Sequence, residues 1–383
     1  MSGKEALIWD VNDGMRIGEA AERHGVARSC AYKWVARYNE YGLDGLEELS
    51  RRPESSPERT PHELVNELLA LKTKYPDFGP AKLVILLKKR HKNKHVMAVS
   101  TAGTILSRHG RVEKRRRRAP SAGRIEHPRF QVAGAGDSMT ADYKGQSLMG
   151  NGKFCYPLTV ADPFSRYLLA IQALPSTHMQ PTKAVFERVF REYGVPRQII
   201  TDNGTPFCSN TSLGGLTRLS RWWIELGIIP IRIAPGRPDQ NGIHERMHRT
   251  FKAWIKRHPR MSLRGHQRSF VAFRDEFNQI RPHQSLSQTP PATAFKSYRS
   301  FQSKPPAMDY DKNMTTRKVN ANGEIKWYGD QIFFSEVLIG GDVGLLPVGE
   351  NLWSIHFGPV RIGFFDALAK RVMNRRPVDP EKK

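Results

Sequence analysis

The chain has 383 residues, of which 39% are hydrophobic and 26% charged, which suits two to four folded domains and excludes a globally disordered chain. Its formal net charge of +24 and pI of about 10.1 require a polyanionic partner, with nucleic acid first and an anionic membrane surface second. No apolar run is long enough to cross a bilayer and the first residues do not resemble a signal peptide, which excludes the membrane and predicts a cytoplasmic protein.

Residues 1–49 are predicted to form a helix-turn-helix DNA-binding domain. Apolar residues from Ile17 to Ala21 fit one face of a helix, Gly25 supplies a turn, and Ala31 to Val35 fit one face of a second helix. The alternative is a small helical bundle that makes no DNA contact. The second helix would present four residues to a DNA groove, namely Arg28, Ser29, Tyr32 and Lys33.

Residues 50–61 are rich in Pro, Ser and Arg and are predicted as a linker, and residues 62–120 as a second helix-turn-helix unit. Gly79–Pro80 is a helix-start signal, and Ser100 is the predicted N-cap of the last helix of this unit. The unit ends in a run of cations that suits phosphate contact, although a plain basic linker is the alternative. The run consists of Lys114, Arg115, Arg116, Arg117 and Arg118.

Residues 121–300 are predicted to form a domain that contains several β-strands. Three apolar or alternating stretches, SMTADYKGQ, FCYPLTVAD and SRYLLAIQAL, predict strands, and Asp162–Ser165 predicts the turn between the last two. A helix that Gly194 ends follows, and then the short buried strand QIIT. Strands, a helix, a strand and further helices together predict a mixed α/β sheet domain.

Residues 301–383 alternate short β-rich stretches with Gly-containing turns. Asn322–Gly323 is a strong hairpin signal. The pattern predicts a small β-barrel-like module, which we interpret as an accessory module for DNA or protein contact. The positive charge of the chain is concentrated before this module, which is itself nearly neutral.

Three carboxylates stand at positions that suit metal-dependent phosphodiester chemistry. Asp142 lies inside the first predicted strand, where a charge is costly unless it has a function, and Asp202 follows the buried strand QIIT. Glu245 lies on a predicted helix, HERMHRTFKAWIK, with His248, Arg249 and Lys252 on the same face as groups suited to phosphate. The three cysteines are far apart, so a disulfide framework or a cysteine-based zinc site is not expected.

The run from about 137 to 295 resembles the catalytic core of the retroviral-integrase superfamily. The strings that carry the resemblance are ADYKG, PLTVADPFSRY, TDNGTPF, GRPDQNGIHERMHRTFK and FNQIRPHQSLSQTPPA. With the helix-turn-helix units before it and the β-rich module after it, the chain resembles insertion-sequence transposases, closest to the insertion-sequence family numbered four-eighty-one. The gap of 42 residues between Asp202 and Glu245 is longer than in better-known integrases, and the extra length at SNTSLGGLTRLSR is interpreted as a surface insertion.

The resemblance implies an RNase H-like fold with Asp142, Asp202 and Glu245 as an Asp-Asp-Glu triad that holds two Mg²⁺ or Mn²⁺ ions. Asp142 would ligate both ions, and the other two carboxylates one each. Water would cleave at the element's end to leave a 3′-hydroxyl, which then attacks a target-DNA phosphate. The cations on the same helix that would contact phosphate are Arg246, Arg249 and Lys252. The implied partners are double-stranded DNA, as terminal repeats and target, and further copies of the chain on paired ends.

Two other interpretations remain open from the sequence. One is a transposase-derived DNA-binding protein with an inactive core, and the other is an RNase H-like nuclease that only hydrolyses. The two helix-turn-helix patterns count against the nuclease, because simple degradation needs no recognition of a sequence.

Overall fold

A computed structural model describes residues 3–48, 59–92, 96–112, 132, 134–234, 242–302 and 307–376. The chain divides into two compact units, Met1–Pro61 and His62–Lys383, and the boundary falls at the end of the predicted linker. Within the described ranges, no helix is both long and apolar enough to span a membrane.

The N-terminal unit is helical. Its helices are α1 (Gly3–Asn12), α2 (Ile17–Arg23) and α3 (Arg28–Tyr41). The predicted helix, turn and helix correspond to α2, Gly25 with φ +63° and α3, which confirms the pattern. Helix α1 was not predicted, and its Leu7 and Ile8 close the small core against Ala20 and Ala31.

The second helical group begins the larger unit. It consists of α4 (His62–Lys74), α5 (Pro80–Arg90) and α6 (Val99–Arg108). The start of α5 is confirmed, since Gly79 is its N-cap and Pro80 its first residue. The prediction for Ser100 is wrong: α6 begins at Val99 with Ala98 as N-cap, so Ser100 lies inside the first turn.

This group packs on the strand-rich domain that follows it in the sequence. The Arg281 guanidinium lies 4.6 Å from the centre of the Phe78 ring, and Ile280 packs against the core of α4–α6. The Arg257 guanidinium also binds both carboxylate oxygens of Asp77. Because of these contacts, residues on both sides of the predicted boundary at 120 belong to one compact unit.

The central domain is built on a mixed sheet. Its strands are β1 (Ser138–Tyr143), β2 (Ser147–Leu148), β3 (Phe154–Ala161), β4 (Leu168–Leu174), β5 (Gln198–Thr201) and β6 (Ile229–Arg232). The order is β4-β3-β1-β5-β6, with β1, β3 and β4 antiparallel and β1, β5 and β6 parallel, and β2 pairs with the start of β3. This is the predicted mixed α/β sheet, with RNase H-like topology.

Helices cover both faces of the sheet. They are α7 (Met179–Tyr193), α8 (Arg218–Glu225), α9 (Gly242–Arg257) and α10 (Leu263–Asp275). One face of β1, with Met139 and Ala141, shares a core with α7 and α8, and a second core joins α9 and α10 to β3 and β4. Since side chains alternate along a strand, Thr140 and Asp142 belong to the other face of β1.

The loop from β3 to β4 is anchored by a buried carboxylate. Asp162 is fully buried, and its Oδ1 accepts hydrogen bonds from the Ser165 amide (2.6 Å) and hydroxyl (2.9 Å). Its Oδ2 accepts a hydrogen bond from the Tyr298 hydroxyl at 2.7 Å. The predicted turn is therefore confirmed, and its aspartate also ties the sheet to the segment after α10.

The C-terminal region is sheet-rich. Its strands are β7 (Thr315–Lys318), β8 (Glu324–Trp327), β9 (Asp330–Phe333), β10 (Asp342–Pro347), β11 (Leu352–Phe357), β12 (Val360–Asp366) and β13 (Arg371–Met373). They form a five-stranded sheet, β13-β12-β11-β10-β7, and a separate β8-β9 hairpin, so no closed barrel is formed by the described residues. Asn322–Gly323 does turn the chain, but the predicted hairpin is wrong because β7 pairs with β10 instead of β8.

The segment SNTSLGGLTRLSR does more than extend a surface loop. Leu213 and Leu216 are buried in the core of the C-terminal sheets, and the Gly214 amide donates a hydrogen bond to the Asn374 side chain at 2.7 Å. The Arg221 guanidinium donates to the carbonyls of Val337 and Ile339. The extra length between Asp202 and Glu245 therefore anchors the C-terminal region to the central domain.

Candidate active site

Asp142 lies near the end of the central strand β1 and is paired in register with Thr159 of β3. Its side chain is only 19% exposed. Burial in the first place, and the charge of Asp202 in the second, raise the pKa of Asp142 to about 7. A carboxylate that is costly to ionise in this position is typical of a functional site.

Asp202 follows directly on β5, the parallel neighbour of β1. Ala141 and Thr201 are register partners, so the residues that come next on the two strands, Asp142 and Asp202, lie at the same end of the sheet. The Asp202 Oδ1 accepts a hydrogen bond from the Gly204 amide at 3.1 Å. A Cβ at Gly204 would lie 3.2 Å from the same carboxylate, so this tight turn suits glycine.

Glu245 lies in the first turn of α9 and is exposed, whereas His244 and His248 on the same helix are buried. Asp142, His244 and His248 each offer one atom that could bind a metal ion, and these three atoms lie within 4.8 Å of one another. The structure thus brings Asp142 and Asp202 together, puts Glu245 on the helix that carries both histidines, and adds those histidines to the site.

A buried polar network joins α9 to the two strands. The His244 ring lies between two threonines, with Nε2 2.6 Å from the Thr140 hydroxyl and Nδ1 3.2 Å from the Thr159 hydroxyl. The His248 Nε2 is 2.9 Å from the same Thr159 hydroxyl, and its Nδ1 is 3.7 Å from the Asp142 Oδ2. Because these contacts are between buried groups, they fix the position of α9 over β1 and β3.

Both histidines are held in the neutral form. Burial lowers the pKa of His244 to about 4. Burial, and then the neighbouring His244, lower the pKa of His248 to about 2. The prediction that His248 is a phosphate-contacting residue is wrong, because its ring faces the sheet.

Cationic side chains lie just after the strand that carries Asp142 and on the helix that carries Glu245. Lys144 lies two residues after Asp142, and its pKa is lowered by burial first and by the charge of Lys252 next. Lys252 is therefore near Lys144, which in turn lies beside Asp142. Arg246, Arg249 and Lys252 are exposed on α9, as the expected phosphate contact requires.

The residues predicted to contact a DNA groove lie together on α3 and are all exposed: Arg28, Ser29, Tyr32 and Lys33. The Arg28 guanidinium donates a hydrogen bond to the Glu22 carboxylate at 2.7 Å, so a DNA contact would compete with this ion pair. The run Lys114–Arg118 lies outside the described residues.

Family models match much of the chain. Two models described as integrase core domain match residues 133–238 and 226–291. A helix-turn-helix domain model matches residues 4–54, and a homeodomain-like domain model matches residues 30–106. The chain therefore combines helix-turn-helix DNA-binding domains with an integrase core domain.

Two relatives come from bacterial insertion elements. An uncharacterized 39.2 kDa protein of insertion element IS476 of Xanthomonas euvesicatoria is 29% identical over 167 residues, which are 43% of this chain and 46% of the relative. An uncharacterized 31.7 kDa protein of insertion element IS407 of Burkholderia multivorans is 25% identical over 194 residues, which are 50% of this chain and 68% of the relative. The chain thus spans about half the length of the first relative.

Solved structures with a similar arrangement include two viral integrases. The HTLV-2 integrase catalytic core domain in complex with magnesium is 15% identical and has a TM-score of 0.34, with 43% of this chain and 99% of that chain covered. The simian T-cell lymphotropic virus intasome in complex with a PP2A regulatory subunit is 14% identical and has a TM-score of 0.38, with 77% and 98% covered.

Proposed function

We propose that this chain is a transposase of the Asp-Asp-Glu superfamily, closest to the insertion-sequence family numbered four-eighty-one. It binds the ends of a mobile DNA element in the bacterial cytoplasm, cleaves phosphodiester bonds there and joins the ends to target DNA. The observation that carries the proposal is the meeting of Asp142 and Asp202 at the ends of two adjacent parallel strands of an integrase core domain.

The donor set suits divalent metal ions. Burial and the neighbouring Asp202 charge oppose ionisation of Asp142, so a cation bound beside it would stabilise its carboxylate. Hard oxygen donors of this kind are those that Mg²⁺ and Mn²⁺ prefer. Asp142, Asp202 and Glu245 would hold two such ions, with Asp142 shared. When bound, the ions supply a reactive oxygen nucleophile and neutralise charge on the scissile phosphate.

The rest of the site serves DNA. Lys144 places positive charge beside Asp142, and Lys252 lies near Lys144. The exposed Arg246 and Arg249 extend the positive charge along α9, so this face would attract the phosphates that flank the reacting bond. The exposed residues of α3 would recognise the base edges of the element ends, and Lys114–Arg118 would contact phosphate without sequence preference. Paired ends require more than one copy of the chain.

The test is a strand-transfer assay on the full chain. Labelled duplexes are taken from the DNA that flanks the coding sequence, where the terminal repeats of an element would lie, and are incubated with Mn²⁺ and a supercoiled target plasmid. Label joined to the plasmid is the expected result. Cleavage without joining would indicate a nuclease, and binding without cleavage would indicate a DNA-binding protein with an inactive core.

A further inference from the structure

We propose that His248 is a nitrogen ligand of one of the metal ions, which it binds through Nδ1 together with the Asp142 carboxylate. The inference rests on the proposed function, because it assumes that the carboxylate site holds a divalent cation. It adds a donor that is not part of the Asp-Asp-Glu triad and changes the chemistry expected of the site.

The spacing of the two donor atoms suits a shared ion. The His248 Nδ1 lies 3.7 Å from the Asp142 Oδ2, which is too far for a hydrogen bond. Two ligand atoms about 2.1 Å from one ion are separated by about 3.0 Å at a right angle and by about 4.2 Å when opposed. The observed distance lies between these limits.

The hydrogen bonds on the other side of the ring leave Nδ1 available. The Thr159 hydroxyl has one hydrogen, which it donates to the main-chain carbonyl of Asp142 at 2.9 Å. Its oxygen therefore accepts at 2.9 Å from the His248 Nε2, which carries the ring proton in this arrangement. The unprotonated Nδ1 and a carboxylate oxygen then lie 3.7 Å apart as two acceptors, an arrangement that a cation between them would stabilise. Metal-binding histidines usually donate a hydrogen bond from the ring nitrogen that does not bind the metal.

His244 cannot have the same role, although it belongs to the same cluster. Both of its ring nitrogens are engaged by threonine hydroxyls, Nε2 with Thr140 at 2.6 Å and Nδ1 with Thr159 at 3.2 Å. It is 1% exposed and lies one turn before His248 on α9. His244 is thus a matched control: a buried histidine of the same network that holds the helix without binding the ion.

A mixed nitrogen and oxygen site has a different metal preference from a purely carboxylate site. Imidazole is a much better ligand for Co²⁺ and Zn²⁺ than for Mg²⁺, which binds oxygen almost exclusively, and Mn²⁺ accepts an imidazole beside the oxygen donors that it prefers. Replacement of His248 by Asn should weaken Mn²⁺ binding on the order of 10- to 100-fold, by analogy with lost metal-site contacts. Mg²⁺ binding should change much less, because the amide offers an oxygen donor.

The experiment is electron spin-echo envelope modulation on the full-length protein loaded with Mn²⁺, prepared with natural and with ¹⁵N-labelled histidine. We expect a nitrogen coupling that changes with the label. It should disappear in His248→Asn and in Asp142→Asn, and persist in His244→Asn. If His248→Asn does not fold, the coupling is measured in His248→Gln instead, which also removes the imidazole and should also abolish the coupling.

The outcomes separate this inference from the proposed function. Strand transfer with Mn²⁺ by a wild-type protein whose bound ion shows no histidine coupling would overturn the role of His248 and leave the transposase intact. A coupling that persists in His248→Asn would do the same. A wild-type protein that binds no Mn²⁺ and joins no DNA would overturn both.

Discussion

Replacement of Asp142 by Asn should stabilise the metal-free protein at alkaline pH while it removes the proposed activity. The ionised carboxylate is held where burial and the charge of Asp202 oppose ionisation, which raises its pKa to about 7. An acid whose pKa is raised on folding destabilises the folded state wherever it is ionised. This destabilisation is absent when the pH is below the pKa of the aspartate in the unfolded chain. It grows between the unfolded and folded pKa values and is complete above about pH 7.

The size of the effect follows from the shift. A change from 3.8 to about 7 corresponds to about 4 kcal/mol at about 1.36 kcal/mol per pKa unit. The Asp142 side chain keeps 19% exposure, and Asn loses contacts of the carboxylate. We therefore expect the free energy of unfolding of Asp142→Asn to exceed that of the wild type by roughly 2–4 kcal/mol at pH 8. Near pH 5 the folded carboxyl is mostly protonated, so the gain falls to about half or less.

The measurement is urea unfolding of wild type and variant in EDTA at pH 8 and pH 5. Asp162→Asn is the matched control, because the buried Asp162 carboxylate accepts hydrogen bonds from Ser165 and Tyr298. Loss of this carboxylate should destabilise the folded protein at both pH values. A variant at position 142 that is no more stable than wild type at pH 8 would refute the electrostatic argument.

Three further results are expected. Asp162→Ala should cost about 3 kcal/mol in urea unfolding, since it leaves the buried donors of Ser165 and Tyr298 without their acceptor, and a loss under about 1 kcal/mol would contradict this. Leu216→Ala should lower the free energy of unfolding by about 2–5 kcal/mol, because Leu216 lies in the core of the C-terminal sheets. It should also make residues 307–376 more sensitive to limited proteolysis, and unchanged digestion would contradict the role of Leu216 in holding this region to the central domain. Affinity for duplex DNA should fall linearly on a log–log plot against salt in a filter-binding titration, whereas a flat plot would mean that the positive charge does not face DNA.

Local patterns predicted the elements well. Helix α7 was found because its apolar residues recur at helical spacing and Gly194 ends it, and α2 and α3 for the same reason. Strand pairing in the C-terminal region was not predictable in this way. Whether β7 pairs with β8 or β10 depends on contacts across more than twenty residues, and a turn at Asn322–Gly323 suits either.

The site was predictable in part. Asp142 stood out because a charge in an apolar strand requires a reason, and Asp202 because it follows a buried strand. The roles of His244 and His248 depend on which side of α9 faces the sheet. Their spacing of four residues in HERMH, which puts both rings on one side of α9, was the available signal.

The role of the extra segment between Asp202 and Glu245 could not be predicted from the sequence. Its polar and Gly-rich composition predicted a surface loop, and only the tertiary structure shows Leu213 and Leu216 in the core of another sheet. Two leucines in a polar segment carry little periodic signal, so the anchor could not be inferred from the sequence alone.

The most direct test of the proposed triad is strand transfer by single alanine variants of Asp142, Asp202 and Glu245, measured beside their affinity for element-end DNA. Asp275→Ala is the control, because this exposed acid of the same domain lies outside the proposed site. We expect joined products at background level for the three variants, with DNA affinity largely unchanged, and normal joining for the control. Strand transfer that survives in any of the three variants would contradict the proposed triad.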